Sequence, residues 1–229
     1  MNEYKYKIIA HIENDFKTKF GVPRQSGLCN DLTSKIIFEP EYRVKEAFRG
    51  LEEYSYIWII WQFSEATHKE WTPTVRPPKL GGNKRMGVFA TRSPFRPNNI
   101  GISSVELCKI EFDKDNGPVL YVKGADLMDK TPIIDIKPYL PYTDCHTNAT
   151  GGFALQNTDG CLQVDFEKSF LDIIPKDKQK GLIEILSNDP RPGYQNDENR
   201  IYKMEFDNFE IQFFVKKNTL TVCNITKLS

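Results

Sequence analysis

The residues able to do chemistry gather in three segments. The first runs Val75-Arg76-Pro77-Pro78-Lys79-Leu80-Gly81-Gly82-Asn83-Lys84-Arg85-Met86-Gly87-Val88-Phe89-Ala90-Thr91-Arg92-Ser93-Pro94-Phe95-Arg96-Pro97-Asn98-Asn99-Ile100-Gly101. Prolines fix φ and glycines permit backbone shapes closed to other residues, so their mixture specifies one loop path. Arginines on such a frame present planar forks to phosphate or carboxylate in a fixed geometry. A solvated basic loop is the plain reading of any one arginine; four of them set between prolines and glycines point to anion recognition. From Trp71 to Val105 there is no Asp or Glu, while Arg76, Lys79, Lys84, Arg85, Arg92 and Arg96 are all cationic. The whole chain balances 31 basic against 31 acidic residues, so this is a local anion-binding surface and not a basic exterior.

The second segment is Phe20-Gly21-Val22-Pro23-Arg24-Gln25-Ser26-Gly27. Arg24 and Gln25 sit between Pro23 and Gly27, where a carboxylate or an adenine edge could be held; an ordinary turn is an equal reading. The third runs from Gly124 to Tyr142 (GADLMDKTPIIDIKPYLPY). Asp126, Asp129 and Asp135 bracket a turn, followed by Pro-Tyr-x-Pro-Tyr. Carboxylates accept ribose hydroxyls or take a proton, although Asp126 and Asp129 also suit Asx-turn capping. Tyr139 and Tyr142, held by prolines, are placed to stack on a base.

These segments need a scaffold, and the surrounding pattern predicts a β-rich one. Residues 4–12, 35–38, 55–63, 86–91, 101–111 and 119–126 read as strands. The run 55–63 (SYIWIIWQF) is apolar at odd and even positions alike, as in a strand buried on both faces. Pro40 opens a short helix over 41–48, which Gly50 ends. Residues 64–85 form a connection longer than is usual without a function, and two prolines keep 135–142 extended. Residues 143–160 are rich in Thr, Asn and Gly. Helical spacing follows over 166–187, broken at Pro175, then a rigid turn at 189–194 and strands at 202–206, 209–215 and 219–225. The expected organisation is a β-rich domain over 1–145, a variable excursion over 146–165, and a small α+β C-terminal domain over 166–229.

Several function classes drop out. Hydrophobic residues make up 39% and charged residues 27%, the balance of a folded soluble protein. The longest apolar run, Ile57 to Trp61, is far short of a membrane span, and the charged opening MNEYKYKIIAHIENDF has no signal-peptide core; a cytoplasmic location and no membrane partner are expected. Cys29, Cys108, Cys145, Cys161 and Cys223 are scattered, as are His11, His68 and His146, so no metal is expected. There is no Gly-x-Gly-x-x-Gly after a strand and no Walker loop, so any cofactor is held outside a Rossmann fold. Outside the three segments, Arg191 in the rigid turn is a further candidate for gripping RNA, together with Arg76, Lys79, Lys84, Arg85 and Arg96.

The three segments, with Phe48-Arg49-Gly50-Leu51-Glu52 and Asp189-Pro190-Arg191-Pro192-Gly193-Tyr194, resemble the TrmO (TsaA-like) family of tRNA adenine methyltransferases. GVFATRSPFRPN and DIKPYLPY are the most distinctive strings, and the likeness spans the chain apart from 143–165. The resemblance implies a mainly β protein with a single-sheet β-barrel, S-adenosylmethionine as methyl donor, N-threonylcarbamoyl-adenosine beside the tRNA anticodon as acceptor, and a homodimer with the cofactor near its interface. By position it assigns cofactor contacts to Pro23, Arg24, Gln25, Arg92, the strand around Ile102 to Ser104, and Asp126, Leu127, Met128 and Asp129. Ser64 and Glu65 fall in that set too, although the chain departs there from the family's pattern. Asp126, Asp129 and Tyr139 are the candidate proton acceptors. The alternative readings are a non-catalytic RNA-binding β-barrel and a hydrolase or transferase for another nucleotide-like ligand.

Overall fold

A computed structural model describes residues 3–65, 71–155, 161–191 and 197–228, except the side chains of Lys79 and Leu155. In chain order the strands of the first part are β1 (Ala10–Glu13), β2 (Thr33–Phe38), β3 (Tyr56–Gln62), β4 (Thr74–Val75), β5 (Met86–Gly87), β6 (Ile100–Asp113), β7 (Gly117–Lys123) and β8 (Pro132–Pro138). Six of them close a barrel in the order β1-β2-β7-β6-β3-β8, every neighbouring pair antiparallel. Closure leaves no free sheet edge, and period-2 alternation turns one side chain in two inward. Ile12, Ile36, Phe38, Ile57, Ile59, Trp61, Val105, Leu120, Val122 and Ile133 fill the interior. The mainly β barrel implied by the resemblance is therefore present.

The β6–β7 turn shows how local chemistry sets register. Asp113 accepts the backbone N–H groups of Asp115 and Asn116 at 2.9 and 2.8 Å, and Gly117 takes a positive φ of 66°. On β3, Ile57, Ile59 and Trp61 are buried, whereas Trp58 and Ile60 are half-buried and Tyr56 is exposed. The strand thus has one core face and one partly covered apolar outer face, not two buried ones. Its register against β8 shifts between Ile60 and Trp61, leaving Ile134 as the extra residue and re-aiming the end of β3.

The second part begins after α1 (Pro141–Asp144) and comprises β9 (Gln163–Asp165), α2 (Lys168–Leu171), α3 (Lys176–Ser187), β10 (Tyr202–Phe206), β11 (Phe209–Lys216) and β12 (Thr219–Lys227). The sheet order is β10-β11-β12-β9, with β9 parallel to β12. Leu182, Ile185 and Leu186 of α3 share a core with Met204, Phe206, Ile211, Phe213 and Leu220 of the sheet. Phe16, Cys29 and Leu32, from the segment between β1 and β2, belong to this same core.

That segment is also pinned by charge. Lys178 of α3 lies 2.7 Å from Asp15 and 2.9 Å from Asp207, and the Asp207 N–H donates to the Asp15 carbonyl. Burial pulls the Lys178 pKa down, but the two carboxylates outweigh it and hold it above the ordinary value. Lys178→Met is expected to destabilise by about 1–2 kcal/mol, since it leaves two partly buried carboxylates unpaired. Urea denaturation monitored by circular dichroism measures this; an unchanged midpoint would show the cluster to be a solvated surface pair.

Several predicted elements differ. Residues 86–91 are strand only at Met86–Gly87 and then turn through a 3₁₀ segment, Val88–Ala90, because Thr91 folds its N–H and hydroxyl back onto the Val88 carbonyl at 3.1 and 2.8 Å. The helix over 41–48 is replaced by 3₁₀ turns at Pro40–Tyr42 and Lys45–Phe48, interrupted at β-branched Val44, which is extended. The 4–12 strand is ordered as strand only from Ala10. The extended run 135–142 ends at Pro138, and Pro141 instead opens α1, where its missing N–H is not needed. Strands β4 and β9 are too short for alternation to reveal. Within 143–160, residues 156–160 lie outside the described residues, as do 192–194 of the rigid turn.

Candidate active site

The site is assembled where β3 ends, β6 begins and the chain turns after β7. Gly101 of β6 pairs with Trp61 of β3, and a Cβ at Gly101 would overlap the indole ring. Glycine lets that ring lie across its neighbour, with its Nε1–H donating to the Ser103 hydroxyl at 3.0 Å. Ser103 in turn donates to Asp126 Oδ1 at 2.5 Å. Ser103 is only 1% exposed and Trp61 is buried, while Asp126 is half-buried, so the Trp61–Ser103–Asp126 chain leads from the barrel interior outward. Burial pushes the Asp126 carboxyl above its usual range; the Ser103 hydroxyl, backbone N–H groups and the Arg92 charge counter this without cancelling it.

The opposite wall is the 24–27 turn. Gly27 N–H donates to the Gly124 carbonyl at 2.9 Å, and Asn30 Nδ2 donates to the Gly27 carbonyl at 2.9 Å. Gly124 has φ 77°, and a Cβ there would press on the Asn30 side chain and the Gly27 backbone. Two glycines thus let the turn lie against the end of β7. Gln25 Oε1 then accepts from an Arg92 guanidinium N–H across a separation of 67 residues. The three sequence segments meet here as Gln25, Arg92 and Asp126.

Other predicted residues are placed elsewhere. Arg24 turns toward the second core and donates to the Asp189 and Arg191 carbonyls at 2.9 and 2.5 Å. Asp129 has both carboxylate oxygens engaged: Oδ1 accepts the Asn14 N–H at 3.0 Å and Oδ2 pairs with Lys17 at 2.8 Å. Leu127 is a buried core residue whose carbonyl accepts from Asn14 Nδ2, and Pro23 and Met128 are half-buried. Ile102 is exposed and Ser104 half-buried, both facing outward from the barrel on either side of inward-facing Ser103. Ser64 and Glu65 are exposed in the turn after β3, where Lys19 Nζ donates to the Glu65 carbonyl at 2.9 Å. The ring of Tyr139 lies 5.5 Å from Trp58 and 6.3 Å from Tyr56, and its N–H bonds the Tyr56 carbonyl. Ser103 pairs with Ile59, three positions further along β3 and so about 10 Å away.

The cationic residues divide as well. Arg76, Lys84 and Arg85 are exposed, with Arg85 donating to Thr74 Oγ1 at 2.8 Å. Arg96 folds under its own loop onto the Thr91 carbonyl at 3.0 Å. Arg191 makes a bidentate pair with Asp189 at 2.8 Å per contact and is half-buried. The Lys79 side chain and His68 lie outside the described residues. Among those described, no group of three or more His, Cys, Asp or Glu is arranged to hold a metal ion, and no helix is long and apolar enough to cross a membrane.

Sequence reasoning missed Trp61, and it reached Ser103 only as part of the strand around Ile102 to Ser104, without its inward role. A signal existed: in Gly101-Ile102-Ser103-Ser104-Val105 the inward parity falls on Gly101, Ser103 and Val105, so a small polar residue sits on a core-facing position of the strand.

Comparison with known proteins bears on this arrangement. The chain matches the model of the tRNA-methyltransferase O N-terminal domain over residues 11–145 and that of the TrmO C-terminal domain over 160–228. It is 39% identical over 223 residues to the tRNA (adenine(37)-N6)-methyltransferase of Escherichia coli (strain K12), covering 94% of each chain. It is 42% identical over 169 residues to the protein of the same name from Eikenella corrodens, covering 72% of this chain and 92% of that one. A crystal structure of TrmO from Pseudomonas aeruginosa superimposes with a TM-score of 0.77 at 26% identity, covering 98% of this chain and 100% of that one.

Proposed function

The chain belongs to the tRNA-methyltransferase O family, and from that premise we propose that it methylates the exocyclic nitrogen of N-threonylcarbamoyl-adenosine next to the tRNA anticodon. It is an S-adenosylmethionine-dependent tRNA (adenine-N6)-methyltransferase. The observation that carries a specific site is the meeting of Gln25, Arg92 and the half-buried Asp126 at one end of the barrel. That donor set fits the cofactor. An arginine backed by an amide suits a carboxylate, and a half-buried carboxylate suits ribose hydroxyls or a cationic group. S-adenosylmethionine supplies the methyl group on a positively charged sulfur.

The chain's own residues do the rest. Arg92, steadied by Gln25, binds an anionic end of cofactor or substrate. Ser103 orients Asp126 through its hydroxyl. Forming the N–CH₃ bond would break the donor's sulfur–methyl bond and release a proton from the acceptor nitrogen, and Asp126 is the group best suited to take that proton because burial raises its pKa. Asp129 is less suited, with Lys17 and Asn14 on its oxygens, and Tyr139 lies at the other end of β3. Positioning of the two reactants supplies much of the remaining rate, up to about 7–11 kcal/mol. Exposed Arg76 is free to recognise the threonyl carboxylate.

We further propose a homodimer. Tyr56, Ile100 and Ile102 are exposed on the outer face of β3 and β6, beside half-buried Trp58 and Ile60, an apolar sheet face suited to a second copy.

The test is mass spectrometry of nucleosides from threonylcarbamoyl-adenosine-containing tRNA after incubation with and without the donor. One added methyl group on that nucleoside is expected. Unchanged mass, with tRNA still bound, would favour the non-catalytic RNA-binding barrel.

A further inference from the structure

Two aromatic side chains of the 71–105 segment stand exposed without a core to fill. Phe89 is 73% exposed and Trp71 is 49% exposed. Their rings stack on one another with centroids 6.3 Å apart and an interplanar angle of 26°. They flank the β4–β5 ribbon, one just before Thr74 and the other just after Gly87, and the ribbon is anchored beneath them. Val88 is 1% exposed and donates its N–H to the Pro73 carbonyl at 3.0 Å, so the ring of Phe89 projects from a fixed backbone. Exposing this much aromatic area in water is unfavourable unless a partner covers it. Charge says which partner. Arg76, Lys84 and Arg85 are exposed on the same segment, with no acidic residue between Trp71 and Val105. Glu70 adjoins Trp71 in sequence, but every charged residue from Trp71 to Val105 is basic; an aromatic step on so basic a segment suits a polyanion with exposed π-faces, which is unpaired RNA.

We propose that Trp71 and Phe89 form a stacking platform for an unpaired base that neighbours the methylated adenosine in the anticodon loop. Phe89 precedes Arg92 by three residues, so their backbones lie within roughly 11 Å of one another, and the platform stands about one or two nucleotides from Arg92. The inference rests on the tRNA-methyltransferase reading for the identity of the loop, but the stacking itself can be measured separately.

The experiment compares the parent with Phe89→Leu, Phe89→Tyr and Trp71→Leu. Binding to an anticodon stem-loop RNA and to a fully paired RNA of equal length is followed by fluorescence anisotropy over a range of salt. Phe89→Leu is expected to weaken stem-loop binding roughly 10- to 100-fold and to raise KM for tRNA, with paired-RNA binding unmoved. Its salt slope should match the parent's, because no phosphate contact is lost, and calorimetric affinity for S-adenosylmethionine should be unchanged. Phe89→Tyr should restore binding, since a phenol ring still stacks. Stem-loop affinity unaltered in Phe89→Leu, or lost equally for paired RNA, overturns the proposal. So does a switch from dimer to monomer in sedimentation, which would assign the patch to self-association. If the parent binds the loop through Phe89 yet methylates no tRNA, the enzymatic reading falls and the platform stands. If it methylates tRNA and Phe89→Leu does so equally well, the platform falls alone.

Discussion

Asp126→Asn is expected to lower methyl transfer by about 100- to 10,000-fold while leaving the protein more stable than its parent at neutral pH. Both effects have one cause. The carboxyl is pushed up from 3.8 chiefly by burial, against the pull of Ser103, backbone N–H groups and Arg92. A carboxyl raised in the native state binds its proton more tightly there than in the unfolded chain. Its contribution to stability is therefore complete below the ordinary carboxylate value and is lost as pH rises through the raised one. Above that window the native state carries a poorly solvated charge. Asparagine keeps an acceptor for the Ser103 hydroxyl but cannot ionise, so its advantage over the parent should grow from acid to neutral pH and then level off. Activity runs the other way, since only the ionised carboxylate accepts a proton. The parent's kcat/KM should rise with pH through the raised value, and that limb should vanish in the variant. Arg92→Gln removes a charge that draws the carboxyl downward, so its limb should move to higher pH. Melting temperature and kcat/KM across pH 4 to 9 test both arms. A stability difference that ignores pH, or a rate limb that survives in Asp126→Asn, would refute the assignment.

Gly101→Ala is expected to destabilise by about 1–3 kcal/mol, a large effect for one added methyl group. The new Cβ would occupy space held by the Trp61 indole, which two adjacent strands of a closed barrel cannot widen to accommodate. Displacing the ring also withdraws its N–H from Ser103 and so loosens the hydroxyl that orients Asp126. Stability and turnover should fall together. Trp61→Leu in the same background supplies the decisive comparison, because a smaller side chain removes the overlap. In a double-mutant cycle Gly101→Ala should be far less costly on Trp61→Leu than on the parent, whereas activity stays low in both. Additive stability effects would mean that the two residues do not press on one another.

How far all this was readable beforehand differs between elements and for physical reasons. β2 and β3 announce themselves as short apolar runs of β-formers, and β6, β7 and the three C-terminal strands through β-formers between turns, with one face buried over at least the first part of each. The chain's likeness to a known family supplied the barrel; nothing in the periodicity of 55–63 separates a strand with one core face from a strand with two. The three segments of the site were recognisable singly. Their meeting was not, because it depends on Gly27 hydrogen-bonding to Gly124 and on the register that turns Ser103 inward. Arginine type was the weakest guide. Arg24, Arg96 and Arg191 look from sequence like Arg76 or Arg92, yet each spends its guanidinium on a carbonyl or carboxylate of its own chain. A guanidinium offers five donors, and a folded chain has lone pairs left over at loop carbonyls. Counting cationic residues in a Pro/Gly-rich segment therefore overstates how many are free for RNA.

Arg24 and Gln25, adjacent in the chain, hold opposite things: one grips the turn beside α3, the other steadies Arg92. Phe16, Cys29 and Leu32 lie in the same stretch and fill the far core. The barrel therefore does not own everything encoded before its last strand. A hybrid enzyme that grafts a foreign tail onto residues 1–145 would inherit a loop shaped for the tail it lost, with three apolar side chains bared and the turn that holds Gln25 against Arg92 left unbraced. Exchange between relatives should succeed when residues 14–32 travel with the tail and fail when they stay behind, so the evolutionary unit of inheritance here is discontinuous in sequence.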